Sequence, residues 1–125
     1  MSPSRAEQDR RYRDLIDRLV DACKNGQGQI GSRRARAGVW HGSATPDQLP
    51  DQHAINVLLA RMPEGDREVL AGMLAHAFSS GAFAALVALH EAGMEPFDQA
   101  YEGTPFNDFV GRLDDWPWPE GAERT

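Results

Sequence analysis

Wherever apolar residues are dense in this chain, they recur at the spacing of a helix. Tyr12, Leu15, Ile16, Leu19, Val20 and Cys23 follow the i, i+3, i+4, i+7 rule and form one stripe. Ser4 and Glu7 have the Ser-x-x-Glu spacing of a capping box, and Asn25-Gly26 supplies a stop, so the first helix is expected over 5–24. Its other face alternates in sign at i,i+4, as in Asp9–Arg13 and Asp14–Arg18, and reads as solvated.

The same reading places a second helix over about 51–62, entered through Pro50 and closed by Pro63, with Ile55, Leu58, Leu59 and Met62 on one face. A third begins near Pro63, has Glu64, Asp66 and Glu68 at the positive end of its dipole, and carries Val69, Leu70, Met73, Leu74, Ala77 and Phe78. Ser79-Ser80-Gly81 reads as a break before a fourth helix over 81–92, which would pack on the third as a hairpin. Gly93 terminates that helix, with Met94 as the accompanying apolar residue. Residues 94–101 read as an extended connection or a short strand. Thr104-Pro105 opens a fifth helix with Phe106, Phe109, Val110 and Leu113 buried. Trp116-Pro117-Trp118-Pro119 cannot continue it and begins an extended tail over 116–125. Residues 26–50, interrupted by five glycines and bearing Arg33, Arg34 and Arg36, read as a long mobile loop anchored at Trp40.

The expected fold is therefore mainly α: one domain over 1–125, a bundle of about five helices with a long Gly/Arg-rich loop after the first and a Trp-Pro tail. Its core is drawn from Leu15, Leu19, Ile55, Leu58, Leu70, Leu74, Phe83, Leu86, Phe109 and Leu113. A chain of 125 residues needs no disulfide or metal to fold. The lone Cys23 allows no intrachain disulfide and no CxxC motif, which fits a reducing compartment and gives cytoplasm as the expected location. Nowhere do about 18 apolar residues run together, so a membrane-spanning segment is not expected.

Charge is distributed unevenly. Residues 1–40 hold nine Lys/Arg against five Asp/Glu, a balance of +4, whereas residues 41–125 hold four against fourteen, a balance of −10. An acidic body disfavours nucleic acid, whose phosphates demand cations, and favours a basic partner.

No motif for catalysis or a cofactor is found. Gly26-Gln27-Gly28-Gln29-Ile30-Gly31 has the form GxGxxG but follows a helix, whereas the dinucleotide fingerprint follows a strand. Cys23, on the core face of the first helix, reads as an inert small hydrophobe. His76, His90 and Glu91 are the first residues to inspect for a metal, on helices expected to lie side by side, although a structural His90 is the preferred reading. Trp40-His41 with His53 is a second neighbourhood where a small ligand could sit; the plainer reading makes Trp40 a loop anchor. The partner-binding candidates are Asp114, Asp115, Trp116 and Trp118, aromatic anchors rimmed by acid, together with Trp40, Arg33, Arg34 and Arg36.

Residues 12–23, Arg67-Glu68-Val69-Leu70, Leu86-Val87-Ala88-Leu89 and the run from Phe109 to Asp115-Trp116-Pro117 together resemble a family of small bacterial proteins, the domain of unknown function numbered 6547. That resemblance covers about two-thirds of the chain, departs from it over 26–50 and implies no activity. In acidity and size the chain is also similar to immunity proteins of bacterial toxin systems. The expected function is thus a non-enzymatic protein-protein interaction protein (an inhibitor, immunity protein or adaptor) without cofactors and with a basic protein as partner. The alternative is a small ligand- or metal-binding domain or enzyme using His41/His53 or His76/His90. A homo-oligomer is compatible with either.

Overall fold

A computed structural model describes residues 4–94 and 104–119, and the following statements concern those residues. The protein is mainly helical, with α1 at Arg5–Lys24, a 3-10 turn at Gln27–Gln29, α2 at Ile30–Ala37, α3 at Pro50–Arg61, α4 at Glu64–Glu91 and α5 at Pro105–Leu113. No strand occurs among the described residues. The chain divides into two compact units: Met1–Asp21 with Ser80–Thr125, and Ala22–Ser79.

The first helix has the boundaries that its stripe and cap dictate. The Glu7 amide donates to Ser4 Oγ at 3.2 Å, and the Gln8 amide to the Ser4 carbonyl at 2.9 Å. Two other expectations fail. The third and fourth expected helices are one helix, α4, with no break at Ser79-Ser80-Gly81. Seven alanines and four leucines in its 28 residues outweigh the propensity lost at two serines and three glycines. Among the described residues the five expected helices thereby become four, α1, α3, α4 and α5, beside the unexpected α2. As one helix, α4 is by length and composition long and apolar enough to cross a membrane, and 11% of its most apolar 18-residue window is buried.

The second failure lies in the expected loop. Eight of its residues form α2, whose buried face consists of small residues, Ser32 and Ala35, preceded by the buried Gly28 of the 3-10 turn. Small side chains bring α2 close enough to α4 for Ser32 Oγ to donate to the Ala71 carbonyl at 2.6 Å, at the centre of a core formed by Ala35, Leu59 and Ala71. Trp40, Ile55, Met62, Leu70 and Leu74 pack around that centre. Gly38, with φ of +77°, ends α2 in the left-handed conformation that glycine adopts without strain.

In the other unit the core is Tyr12, Ile16, Val20, Leu86 and Phe109. Two of the ten expected core residues face solvent: Leu58 is 46% exposed and Phe83 is 37% exposed. Each was assigned inward by helical spacing alone. Thr104 stands at the N-cap of α5, but its hydroxyl makes no capping bond. The expected extended connection beyond Met94, and the tail beyond Pro119, lie outside the described residues.

The close approach at Gly28 gives a direct test of α2. A Cβ there would lie 2.7 Å from the Cys23 carbonyl oxygen and 2.8 Å from the Phe78 ring. Gly28→Ala should therefore lower stability by about 1–3 kcal/mol in urea denaturation, as overpacking does. A mobile loop would tolerate the change.

Candidate functional site

α5 ends by chemistry local to its sequence. The Trp116 amide donates to the Gly111 carbonyl at 2.9 Å and the Asp115 amide to the Arg112 carbonyl at 3.1 Å, the paired bonds of a Schellman cap. The residue in the left-handed position of such a cap is usually glycine; here it is Asp115, at φ of +63°. The reversal lays the Trp116 ring against Gly111, and residues 117–119 follow as non-helical chain.

The two tail tryptophans consequently differ. Trp118 is drawn onto α1: its Nε1 donates to Asp17 Oδ2 at 3.0 Å, and its ring meets Tyr12 edge-on with centroids 6.2 Å apart. Arg13 and Arg112 place their guanidinium carbons 5.2 and 5.4 Å from the Trp118 ring centroid. Arg112 Nε donates to the other Asp17 oxygen at 2.8 Å, and Arg13 donates to the Pro119 carbonyl at 3.0 Å. Beneath this cluster the buried Tyr12 hydroxyl donates to the buried Asp108 carboxylate. Trp116, in contrast, is 62% exposed.

Phe83, Asn107, Val110, Gly111, Asp114 and Trp116 line a groove of about 540 Å³. Asp114 and Trp116 were candidates from sequence. Phe83 belongs to the expected core and Val110 to the expected buried stripe of the last helix, yet both are exposed, Val110 to 39%; Asn107 carried no signal, because the groove joins α4 to α5 across a sequence gap that no local pattern bridges. Phe83 meets Phe106 edge-on at 5.7 Å. Asp115 lies at the cap and outside the lining of this groove.

The remaining candidates are dispersed. Arg33, Arg34 and Arg36 lie on α2 and have separate partners. Arg33 donates to the Gly26 carbonyl at 3.5 Å, and the Arg34 guanidinium carbon is 5.6 Å from the Trp40 ring centroid. Arg36 Nε donates to both Glu68 carboxylate oxygens at 3.0 and 2.9 Å. Hydrogen bonding to Glu68, and then its charge, raises the Arg36 pKa above its already high ordinary value. Trp40 is half-buried, and Asn56 holds the chain beside it. Asn56 Oδ1 accepts from the Trp40 and His41 amides at 2.6 and 3.0 Å, while Nδ2 donates to the His41 carbonyl at 2.7 Å. His41 Nδ1 accepts from the Ser43 amide at 3.2 Å, and His53 stands half-buried on α3.

The His76, His90, Glu91 set is not assembled. With α4 continuous, the two histidines stand fourteen residues apart on one helix, about 21 Å of rise, where a hairpin would have faced them. His90 packs edge-on against Phe106 at 5.4 Å, and His76 and Glu91 are exposed. No group of three metal-capable side chains occurs among the described residues.

These features define a mainly helical protein with an aromatic and acidic groove at the end of its last described helix. The chain belongs to a family of unknown function, DUF6547, which it matches over residues 5–120. No curated protein and no solved structure matches it.

The Asn56 clamp yields a measurable consequence. Asn56→Ala leaves two amides and a carbonyl without their partner and should cost about 1–3 kcal/mol by chemical denaturation. A change within about 0.5 kcal/mol, the range of ordinary surface substitutions, would mean that the clamp holds nothing.

Proposed function

We propose that the protein is a non-enzymatic interaction protein, of the inhibitor, immunity-protein or adaptor kind, which binds a basic protein partner at the groove formed by α4, α5 and Trp116. The observation that carries this reading is a largely exposed tryptophan beside an exposed carboxylate in a groove of about 540 Å³. Large exposed aromatics are over-represented among residues that dominate interface energetics. The unit that contains the groove holds seven Lys/Arg against fourteen Asp/Glu, a balance of −7, whereas the other unit holds six against five, a balance of +1. The acidic excess that favours a basic partner thus belongs to the unit that contains the groove.

Trp116 takes the anchoring role, because Trp118 is engaged with Asp17 and two arginines within its own unit. The reading includes a cytoplasmic location, from a single free cysteine buried on α1, and it requires neither cofactor nor membrane nor nucleic acid.

Affinity capture followed by binding kinetics tests it. Asp114→Asn should mainly slow association and flatten its salt dependence, because exposed charges steer encounter. Trp116→Ala should speed dissociation by about 30-fold, the effect of losing an anchor residue. A partner whose binding ignores both variants would move the contact surface to α2, with Arg33, Arg34, Arg36 and Trp40.

A further inference from the structure

The unit that holds the groove already shows how it binds a guanidinium. Around Trp118, the indole ring carries Arg112 over its face, and the Asp17 carboxylate accepts from both Arg112 Nε and the indole N–H. Indole, carboxylate and arginine form a closed set. The groove presents the first two components without the third. Trp116 supplies an exposed ring, and Asp114, two residues earlier at the end of α5, supplies a carboxylate that makes no side-chain hydrogen bond or ion pair among the described residues. No basic side chain lines the groove among the described residues. Arg112, the cation in the last turn of α5, is held by Asp17 and by the Trp116 carbonyl, to which its Nη1 donates at 2.6 Å.

We propose that the groove is an arginine socket, in which one arginine side chain of the partner lies over the Trp116 ring and donates to the Asp114 carboxylate. The inference rests on the interaction reading above and names the chemistry of the group that the partner inserts. Three features select arginine. Its planar guanidinium stacks on an indole and forks onto a carboxylate, whereas a lysine ammonium is a compact, strongly hydrated point charge. The site lies at the C-terminal end of α5, where the helix dipole favours a cation. Phe83 and Val110 give the groove an apolar wall along which the methylene stem can run, as long cationic side chains prefer.

The probes are N-acetylargininamide and N-acetylcitrullinamide, which share a shape and differ in charge, with N-acetyllysinamide as a charged control. The full chain is labelled with nitrogen-15 in its tryptophan indoles, and the Trp116 resonance is assigned by its loss in Trp116→Phe. Argininamide should shift the Trp116 indole resonance, citrullinamide should leave it in place, and lysinamide should shift it less than argininamide. Trp118, whose ring already carries two arginines, and Trp40 should not move. Asp114→Asn, a change at an exposed position checked by a thermal melt coincident with wild type, should reduce the argininamide shift. Equal shifts with argininamide and citrullinamide, or all three indoles moving together, would overturn the socket. The two readings fail separately. A partner that depends on Trp116 while argininamide leaves its indole unmoved overturns the socket alone, whereas a partner indifferent to both Trp116→Ala and Asp114→Asn overturns both.

Discussion

The Asp17 carboxylate decides what the end of the described chain can present. Its two oxygens are taken by different residues, Oδ1 by Arg112 Nε and Oδ2 by the Trp118 indole, so one side chain on α1 fixes both the last turn of α5 and the segment after it. Each bond is modest, because the Asp17 and Arg112 side chains remain 41% and 28% exposed, and an exposed ion pair contributes at most about 1 kcal/mol. Their effect is positional. With Trp118 satisfied on α1 and the chain reversed at Asp115, Trp116 is left over the end of α5, beside Asp114 and the exposed Phe83. A tail that read as one aromatic surface is divided into a tryptophan that holds the fold and one that is available to a partner.

The other unit depends on the absence of side-chain bulk. In its central buried cluster Leu59 is the one large side chain; the other members are Ala35 and Ala71, with Ser32 bonded across to the Ala71 carbonyl. Close approach allows that bond. A hydroxyl on a buried face would otherwise go unsatisfied at a cost of about 1–3 kcal/mol, so the short distance and the polar residue require each other. The basic residues of α2 are spread around this contact, each with its own partner.

What was legible in the sequence follows the same physics. The boundaries of α1 could be read because a six-residue stripe, a capping box and Asn25-Gly26 agree. α2 could not be read, because its buried face is Ser32 and Ala35, preceded by Gly28 of the 3-10 turn, which no hydrophobic pattern registers. The continuity of α4 was missed because Ser79-Ser80-Gly81 resembles a break locally, whereas propensity summed over 28 residues favours one helix. The expected hairpin set His76 and His90 on neighbouring helices, and helical spacing alone turned Phe83 inward. Of the candidate groove, the sequence showed Asp114 and Trp116 but not the wall opposite them, and the difference between Trp116 and Trp118 rests on Asp17, a residue about a hundred positions away.

The division between the two tryptophans is the central claim, and hydrogen exchange at the indole nitrogens tests it most directly. The Trp118 Nε1–H, bonded to Asp17 and covered by Arg13 and Arg112, should exchange slowly, and Asp17→Ala should accelerate it, while the Trp116 Nε1–H should exchange rapidly in both proteins. Rapid exchange at Trp118 in the native chain, or protection at Trp116 equal to that at Trp118, would contradict the account.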